Sequence, residues 1–501
     1  MTSDRPPPPG TPTLAPARPG ARAPVTADAP ARGPRPVAGP AAHDAGLIRL
    51  TWAQPEDLVG HEFRQAAEDG RARAAEPLLR AWLAAGGHPA PERAGASPAP
   101  APPQLRTLAA RLLDELAELP RPLGPDEPDS WPAITASWPA PAPAGAGAAG
   151  CDPGLRRRLE AAWVGRAAGC LLGKPVEKLP LHGIRALARA TGNWPLDDWF
   201  TAEGVPAELL AAHPWNRRSA PTSLAENIDG MPEDDDLNHP LLGLLLLQRH
   251  GKTFTTADLG RLWLDELPAG RTFTAERIAY RNLLQGLEPP ATATRHNPFR
   301  EWIGALIRAD VHGWTNPGDP AAAAAQAYRD AALTHTANGV YAALFIAAAT
   351  ARAATGRADV HTALRAGLAV VPPRSRLAEA VRFGIATAER EADFDRVVDR
   401  LHTRYGRHHW VHAVPNTSLI AAALTHADGD FGHSICRAVS GGWDTDSNGA
   451  TAGALAALIA GEVPHRWSAP LGNRLATTVA GFDGIGFDTL AHLTAQEAAR
   501  S

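Results

Sequence analysis

The sequence has few of the residues that mark a disulfide-stabilised, β-rich or nucleic-acid-binding protein. Only three cysteines occur, Cys151, Cys170 and Cys436, without any CxxC or Cys/His cluster, so neither a disulfide framework nor a zinc site is indicated. Phe, Tyr and Trp reach only 6%, and the hydrophobic 44% is mostly Ala and Leu, a balance that favours helices over sheets. The net charge of −4 shows no basic excess, so we expect no nucleic-acid partner.

A long apolar run is also missing. The longest such run, around Leu241–Leu246, is far too short to span a bilayer. The amino terminus is rich in proline and lacks the apolar core of a signal peptide. We therefore expect a cytoplasmic protein that has no membrane partner.

Segments rich in proline and alanine divide the chain into three predicted parts. Residues 1–45 contain PPPP and no periodic apolar positions, which predicts a disordered tail. Residues 46–150 are predicted to form a small helical extension with Pro/Ala linkers, and their helical patterns cover Pro55–Gly86 and Gln104–Leu119. Residues 151–501 show dense helical patterns without sustained period-two alternation. The predicted fold class is therefore all-α.

Two acidic segments in the long block stand directly before helical patterns. They are MPEDDDLN, with Glu233, Asp234, Asp235 and Asp236, and GGWDTDSN, with Asp444 and Asp446. A single acid at such a place usually caps the helix and interacts with its dipole. Adjacent acids exceed what a cap needs, and apolar residues follow the first segment where an ordinary charge run would continue with more charge.

If the two segments meet in the fold, their carboxylates share one pocket, and their mutual repulsion favours the binding of cations. Carboxylate oxygens without cysteine suit hard ions such as Mg²⁺, Mn²⁺ or Ca²⁺ much better than Zn²⁺. Asp444 and Asp446 alternate in an extended turn, so both reach one ion, and the Ser447 hydroxyl is a neutral ligand candidate. This ligand supply fits two ions better than one.

Together with further segments, these motifs resemble the ADP-ribosylglycohydrolase family from about Leu155 to Gly461. The segment GRAAGCLLGKPVE, Gly165–Glu177, is similar to the family's Gly-rich first helix, which ends in a glutamate. Gly304–Asp310 is also similar, and GGWDTDSNGATAGAL is the most specific motif of the set. Better-known members have Thr-Asp-Asp-Thr in place of EDDD and threonine in place of Ser447, so the sequence looks more like an acidic bacterial subgroup of the family.

The resemblance implies an orthogonal helical bundle around a binuclear Mg²⁺ site, with Mn²⁺ as the alternative ion, and a catalytic domain over residues 151–501. The implied ligands are Glu233, Asp234 and Asp235 for one half of the site and Asp444, Asp446 and Ser447 for the other. Whether Glu233 or Asp236 binds metal is left open by the departure from the usual motif. Glu177 matches a glutamate on a loop over the substrate, and either Glu177 or Asp446 is the implied catalytic proton acceptor.

The implied substrate-binding residues are Gly304, Arg308, His335, Gly441, Gly442 and Trp443. Arg308 is either an anion clamp or a salt-bridged structural residue. His335 contacts the substrate or is structural, and Trp443 stacks on a base or fills the core. His408 and His409 look exposed, and we assign them no role.

The predicted function is metal-dependent hydrolysis of the glycosidic bond of an ADP-ribosylated protein side chain or of a small ADP-ribosyl or nucleoside substrate. One alternative is a two-metal phosphohydrolase, which would release phosphate from simple esters. Another is a non-catalytic ADP-ribose-binding or structural relative, which ADP-ribose would stabilise without turnover.

Overall fold

Helices form nearly all of the regular structure in a computed structural model that describes residues 53–91, 94, 101–138 and 154–500. Within these ranges there are 23 α-helices, and β-structure is limited to isolated bridges. The all-α fold class is therefore confirmed. In the same described part of the chain, no helix combines the length and the apolar character that a membrane span requires. The predicted disordered tail, residues 1–45, lies outside the described residues.

Four helices lie in the amino-terminal extension: α1 Pro55–Glu68, α2 Ala72–Ala84, α3 Pro103–Ala117 and α4 Trp131–Ala136. The pattern over Gln104–Leu119 is confirmed by α3. The pattern over Pro55–Gly86 is not one helix, because Gly70 takes a φ of 83° and turns the chain between α1 and α2. Glycine adopts this left-handed conformation without the steric cost that a side chain would add.

The remaining helices are α5 Leu155–Gly173, α6 Leu181–Ala190, α7 Ala207–Ala212, α8 Ala220–Ser223, α9 Asp235–His250, α10 Thr256–Glu266, α11 Thr274–Leu284, α12 Ala291–Thr294, α13 Asp310–Trp314, α14 Pro320–Ala331, α15 Ala337–Ala353, α16 Val360–Leu368, α17 Arg376–Ala388, α18 Phe394–Tyr405, α19 Ala413–Ala427, α20 Phe431–Ser440, α21 Thr445–Ala460, α22 His465–Ser468 and α23 Phe487–Ala499. Short 3₁₀ turns cover Lys174–Val176, Ala225–Asn227, Ala269–Arg271, Ile303–Arg308 and Ala469–Leu471. Helices α15, α19 and α21 are buried along nearly their whole length and form the centre of the core. Their alanine-rich sequences allow this, because small side chains let a helix be surrounded closely on all sides.

Helices α5 and α21 cross with their backbones in direct contact. A Cβ atom on Gly169 would lie less than 3.0 Å from the carbonyl oxygen of Gly449. A Cβ atom on Gly453 would also lie less than 3.0 Å from the carbonyl oxygen of Gly165. Real Cβ atoms do not approach so closely, so only glycine fits at this crossing. At one end of this helix crossing, the Thr445 hydroxyl donates a hydrogen bond of 2.8 Å to the carbonyl oxygen of Gly173. The crossing therefore brings the start of α21 against the end of α5.

Buried ion pairs attach the extension to the long helical block. Glu62 of α1 accepts from Arg300 at 2.6 Å, and Glu127 accepts from Arg376 at 2.7 Å. Arg376 also donates to Glu301 at 2.8 Å. Each arginine is partly exposed and has a second carboxylate partner, Asp69 for Arg300 and Glu301 for Arg376, so the pairs form a network and no single contact holds the extension alone. These contacts attach the extension to the segment just before the 3₁₀ turn Ile303–Arg308. The domain boundary near residue 150 stays a prediction.

We expect Gly169→Ala to lower the free energy of unfolding by about 1–3 kcal/mol or more, because the added methyl group forces α5 and α21 apart. Gly260→Ala is the matched control, since Gly260 lies inside α10 and its added methyl group would meet only the flexible side chains of Leu283 and Leu333. There, the better helix propensity of alanine is worth up to about 1 kcal/mol. Chemical denaturation of both variants measures the difference. Equal effects of the two substitutions would contradict a contact between the helix backbones.

Candidate active site

The first acidic segment begins helix α9 inside the protein. Asp234 is the N-cap residue, and its side chain accepts a hydrogen bond of 2.9 Å from the backbone N–H of Asp236. Lys174 donates to the same Asp234 carboxylate. Asp236 is buried and accepts from the Arg166 guanidinium at 3.0 Å. One acid therefore serves as the ordinary cap, Asp236 lies in the interior, and Glu233 and Asp235 are half-buried.

The second acidic segment begins helix α21 and meets the first one. The Ser447 hydroxyl donates a hydrogen bond of 3.1 Å to Oδ2 of Asp236, which joins the two segments directly. The backbone N–H of Asp444 donates to Asn416 at 3.1 Å and fixes the entry to the helix. The structure thus brings together the two segments that the sequence singled out.

Glu177 completes the acidic group. Carboxylate oxygens of Glu177, Asp444 and Asp446 all lie within 4.8 Å of one another. Asn216 donates to one Glu177 oxygen at 2.6 Å, and Lys178 lies 2.6 Å from the other. These two contacts orient the Glu177 carboxylate toward the start of α21. The pairing with Asn216 could not be predicted from the sequence, because no local pattern connects the two positions.

Burial and mutual repulsion make it unfavourable for these acids to be ionised together. Burial, and then the charges of Asp234 and Asp236, raise the pKa of Asp235 well above its ordinary value. Burial and the Glu177 carboxylate do the same for Asp446, and they raise the pKa of Asp444 to about 7. A cation would relieve this repulsion. The carboxylate oxygens and the Ser447 hydroxyl fit a hard divalent ion such as Mg²⁺ or Mn²⁺. The Cys170 sulfur also lies within 4.8 Å of oxygens of Asp234 and Asp236, but burial raises the pKa of its thiol well above the ordinary value.

Two buried cations compensate part of the cluster. Burial alone would lower the pKa of Lys174, but the neighbouring Asp234 and Asp446 charges outweigh it and hold the ammonium group charged. The same pairing keeps the pKa of Asp234 below its ordinary value although burial opposes this. Arg166 is fully buried and also binds Asp310 at 2.6 Å. Both cations belong to the segment GRAAGCLLGKPVE. A charged residue in an otherwise apolar segment is the feature of the sequence that indicates a buried ion pair.

The acids open into a cavity of about 560 Å³. Its walls include Lys174, Glu177, Asn216, Glu233, Asp234, Asp235, Asp236, Arg271, Phe273, Glu276, Trp302, Gly304, His409, Trp410, Asp444, Asp446 and Ser447. The expectation that His408 and His409 are exposed is wrong, because both are buried. His409 stacks on Trp302 with ring centroids 4.1 Å apart and contributes to the cavity wall. A cavity of this size, with acids and aromatic rings, has room for a nucleotide-sized molecule.

Glu233, the first acid of its segment, is held by three partners at the cavity wall. Arg271 lies 2.8 Å from one oxygen, and Asn238 and Thr478 donate to the other at 3.1 and 3.0 Å. Asp236, the last acid of the segment, instead faces Arg166 and Ser447. Both side chains are therefore near the acidic group, but each already has its own protein partners.

Among the predicted substrate contacts, Gly304 lines the cavity and Arg308 does not. The buried Arg308 guanidinium donates to Asp330, to Glu276 at 2.9 Å and to the Thr334 hydroxyl at 2.7 Å. These are the contacts of an internal ion-pair network, which was the structural alternative for Arg308. Such a network depends on partners far apart in the sequence, so the motif alone could not indicate it.

His335 belongs to the same internal network. Its Nδ1 atom lies 2.5 Å from the hydroxyl of Thr334 and 4.0 Å from Glu276. Burial, and then the Arg308 charge, lower the pKa of His335 well below its ordinary value, so the ring is neutral. His335 is not one of the residues that line the cavity.

The turn Gly441–Trp443 also stands outside the residues that line the cavity. Trp443 stacks face to face on His402, with ring centroids 4.0 Å apart and an angle of 5° between the rings. Trp443 has a φ of 57° and Gly442 a φ of 78°, both in the left-handed region. His402 contacts the Gly441 carbonyl oxygen at 2.8 Å. The turn therefore fixes how the chain enters α21 at Asp444, and the substrate-binding role of Gly441, Gly442 and Trp443 stays a prediction.

The fold is all-helical, and its cavity contains carboxylates from the first residues of two helices. Such a group of carboxylates is typical of a site that binds divalent metal ions. The model of the ADP-ribosylglycohydrolase family matches residues 152–498, more than half of the sequence. The chain therefore belongs to the ADP-ribosylglycohydrolase family, and this membership supports a glycohydrolase-type activity.

Two further comparisons were made. One solved structure, titled "ADP-ribosylglycohydrolase-related protein complex", is similar with 20% sequence identity and a TM-score of 0.43, covering 70% of this chain and 99% of the other. A comparison with curated proteins found no match.

We expect added Mg²⁺ to raise the melting temperature more at about pH 8 than at about pH 5.5. The folded protein raises the pKa of Asp444 from 3.8 to about 7. Such a shift stabilises the metal-free fold at low pH, and the contribution is lost as the pH rises through the folded pKa. Above that pH a cation replaces the proton. Thermal melts with Mg²⁺ and with EDTA at both pH values test this, and an equal Mg²⁺ effect at both would contradict it. Asp444→Asn should reduce the pH difference.

Proposed function

We propose that this protein is a divalent-metal-dependent hydrolase that cleaves the glycosidic bond of an ADP-ribosylated protein side chain or of a small ADP-ribosyl metabolite. The hydrogen bond between Ser447 and Asp236 carries the proposal, because it joins two acidic segments that are far apart in the sequence. The family membership supports the type of bond that is cleaved. The cavity volume of about 560 Å³ supports a substrate of nucleotide size.

The ligands that we propose for the ions are Asp234, Asp235, Asp444, Asp446 and Ser447, with Glu233 or Asp236 in addition. Bound Mg²⁺ ions, or Mn²⁺ in their place, would orient the ribose hydroxyls and lower the pKa of a water molecule. The raised pKa of Asp235 and Asp446 supports this role, because burial and the neighbouring carboxylates penalise the ionised acids and a bound cation would relieve that penalty.

The protein's own residues provide the remaining chemistry. Water attacks C1 of the ribose while the glycosidic bond breaks and positive charge spreads over the ring. The leaving nitrogen or oxygen keeps the bonding electron pair and takes up a proton from solvent. Asp446 or Glu177 accepts the proton of that water at a carboxylate oxygen. Glu177 is suited to this because Asn216 and Lys178 fix its orientation. Lys174 keeps Asp234 ionised, so that this carboxylate is available as a ligand without first losing a proton.

The proposal is tested with purified full-length protein, Mg²⁺ and a panel of ADP-ribosyl-arginine, ADP-ribosyl-serine, O-acetyl-ADP-ribose, nucleosides and p-nitrophenyl phosphate. We expect release of ADP-ribose or ribose from at least one glycosidic substrate and its loss with EDTA. Phosphate release in place of sugar release would favour the phosphohydrolase alternative. Stabilisation by ADP-ribose without any turnover would favour the non-catalytic alternative.

Asp446→Asn is expected to lower kcat by a factor of about 100 or more, because it removes both a proposed ligand and a proposed proton acceptor. Glu208→Gln, at an exposed position on α7, is the matched control and should keep the wild-type rate. Initial rates at saturating Mg²⁺ distinguish the two variants. An Asp446→Asn enzyme with the wild-type rate and metal dependence would overturn the assignment of this residue.

A further inference from the structure

A second group of potential metal ligands lies away from the acidic cavity, where the extension meets the long helical block. Glu68 is the last residue of α1, and His408 and His412 stand four residues apart directly before α19. The side chains of the three residues are only 6%, 4% and 0% exposed. None of the three belongs to the residues that line the cavity.

The three side chains point polar atoms at one another without bonding. Among the described residues, Oε1 of Glu68, Nδ1 of His408 and Nε2 of His412 are buried and have no hydrogen-bond partner. Buried polar atoms are nearly always paired, so such a group calls for an explanation. Oε1 of Glu68 lies 3.7 Å from His408 Nδ1, and Oε2 lies 3.5 Å from His412 Nε2. Both distances are too long for good hydrogen bonds.

The same distances agree with the spacing of ligands around a tetrahedral ion. Zinc binds imidazole nitrogen and carboxylate oxygen at about 2.0–2.2 Å, which places neighbouring ligand atoms about 3.3 Å apart. One ligand atom from each of the three residues lies within 4.8 Å of the other two. Two imidazoles and one carboxylate are also a common donor set for zinc and related transition ions.

We propose that Glu68, His408 and His412 form a binding site for a divalent transition-metal ion, Zn²⁺ being the best match, separate from the acidic cavity. The ion would have three protein ligands and one further position for water. The donors differ from those of the cavity, where carboxylates and a hydroxyl suit Mg²⁺, so the two sites select different ions. The proposal does not depend on the enzymatic function proposed above.

The surroundings of the site set two conditions on binding. Nδ1 of His412 accepts a hydrogen bond of 3.2 Å from the N–H of Val414 at the start of α19. When zinc binds Nε2 of His412, the ring proton moves to Nδ1, which can then no longer accept a hydrogen bond. Binding therefore requires the hydrogen bond from the Val414 N–H to break. Arg376 lies close and donates to the backbone oxygen of Glu68 at 3.0 Å. Its charge is already balanced by Glu127 and Glu301, so it does not oppose the ion.

The position of the site indicates what the ion does. Glu68 belongs to the extension and the two histidines to the long helical block, so a bound ion would link two segments that are separated by more than three hundred residues in the sequence. Because the ligands are buried, we expect the ion to enter while these segments come together, and not by diffusion into the finished fold. The protein should therefore be refolded in the presence of the ion.

The test uses full-length protein with Asp444→Asn and Asp446→Asn, so that the acidic cavity loses two of its proposed ligands and saturating Mg²⁺ competes for those that remain. The protein is refolded with Zn²⁺ and saturating Mg²⁺, passed over a chelating resin and analysed for zinc by mass spectrometry. We expect one retained zinc per chain, and its loss on adding Glu68→Gln or His408→Gln. His361→Gln, which removes a histidine paired with Asp428 elsewhere on the surface, should retain the zinc.

Retention of zinc in both the Glu68→Gln and the His408→Gln variants, or no retention by the folded parent protein, would overturn the proposal. The second result would mean that a buried water or a simple Glu68–His412 contact fills the site. Circular dichroism establishes that each variant is folded. If the variants do not fold, X-ray absorption spectroscopy of the zinc-loaded parent decides, because the proposal requires two imidazole ligands and fewer would contradict it.

Discussion

The arrangement of the cavity depends on the contact between the backbones of α5 and α21. The glycines on the two helices let their axes approach closely enough for the end of one and the start of the other to meet. Glu177 follows the end of α5, and Asp444 and Asp446 stand at the start of α21. A side chain at the crossing would separate these groups by the width of a methyl group or more, which is large compared with the tolerance of a metal centre. The small residues that make the sequence look featureless therefore determine the geometry of the acids.

The acidic cluster works against the stability of the fold that holds it. Each buried carboxylate loses hydration, and the close acids repel one another. Arg166 and Lys174 offset part of this cost through Asp236 and Asp234. The pKa of Asp235 is instead raised well above its ordinary value by burial and by the charges of Asp234 and Asp236. Natural proteins keep groups of this kind where function needs them, at the expense of stability.

The sequence was most informative where the relevant pattern is local. The two acidic segments, the all-α class and the helix that follows each segment could be predicted because a few adjacent residues carry the signal. The internal pairing of Arg308 could not, since Glu276 and Asp330 come from other helices. His408 and His409 looked exposed for the same reason, because the residues that cover them belong to distant parts of the chain.

One error in the helix boundaries also has a local cause that the pattern concealed. The apolar spacing over Pro55–Gly86 continues across Gly70, so periodicity alone could not show that the chain turns there. The predicted roles of Gly441, Gly442 and Trp443 illustrate a different limit. Their motif is specific to the family, but a motif alone does not distinguish a residue that contacts a ligand from one that orients its neighbour, so their substrate-binding role stays a prediction.

The buried ion pairs between the extension and the rest of the protein have an evolutionary consequence. Among the described residues, a change of Glu62 alone would leave Arg300 with only its longer ion pair to Asp69 at 3.5 Å, and a change of Glu127 would leave Arg376 with only its ion pair to Glu301. Drift at these positions is therefore expected to occur in matched pairs. A recombination event that transferred the long helical block to another gene without its amino-terminal segment would leave Arg300 without Glu62 and Asp69 and would leave Arg376 with Glu301 alone. Selection is therefore expected to keep the two parts together.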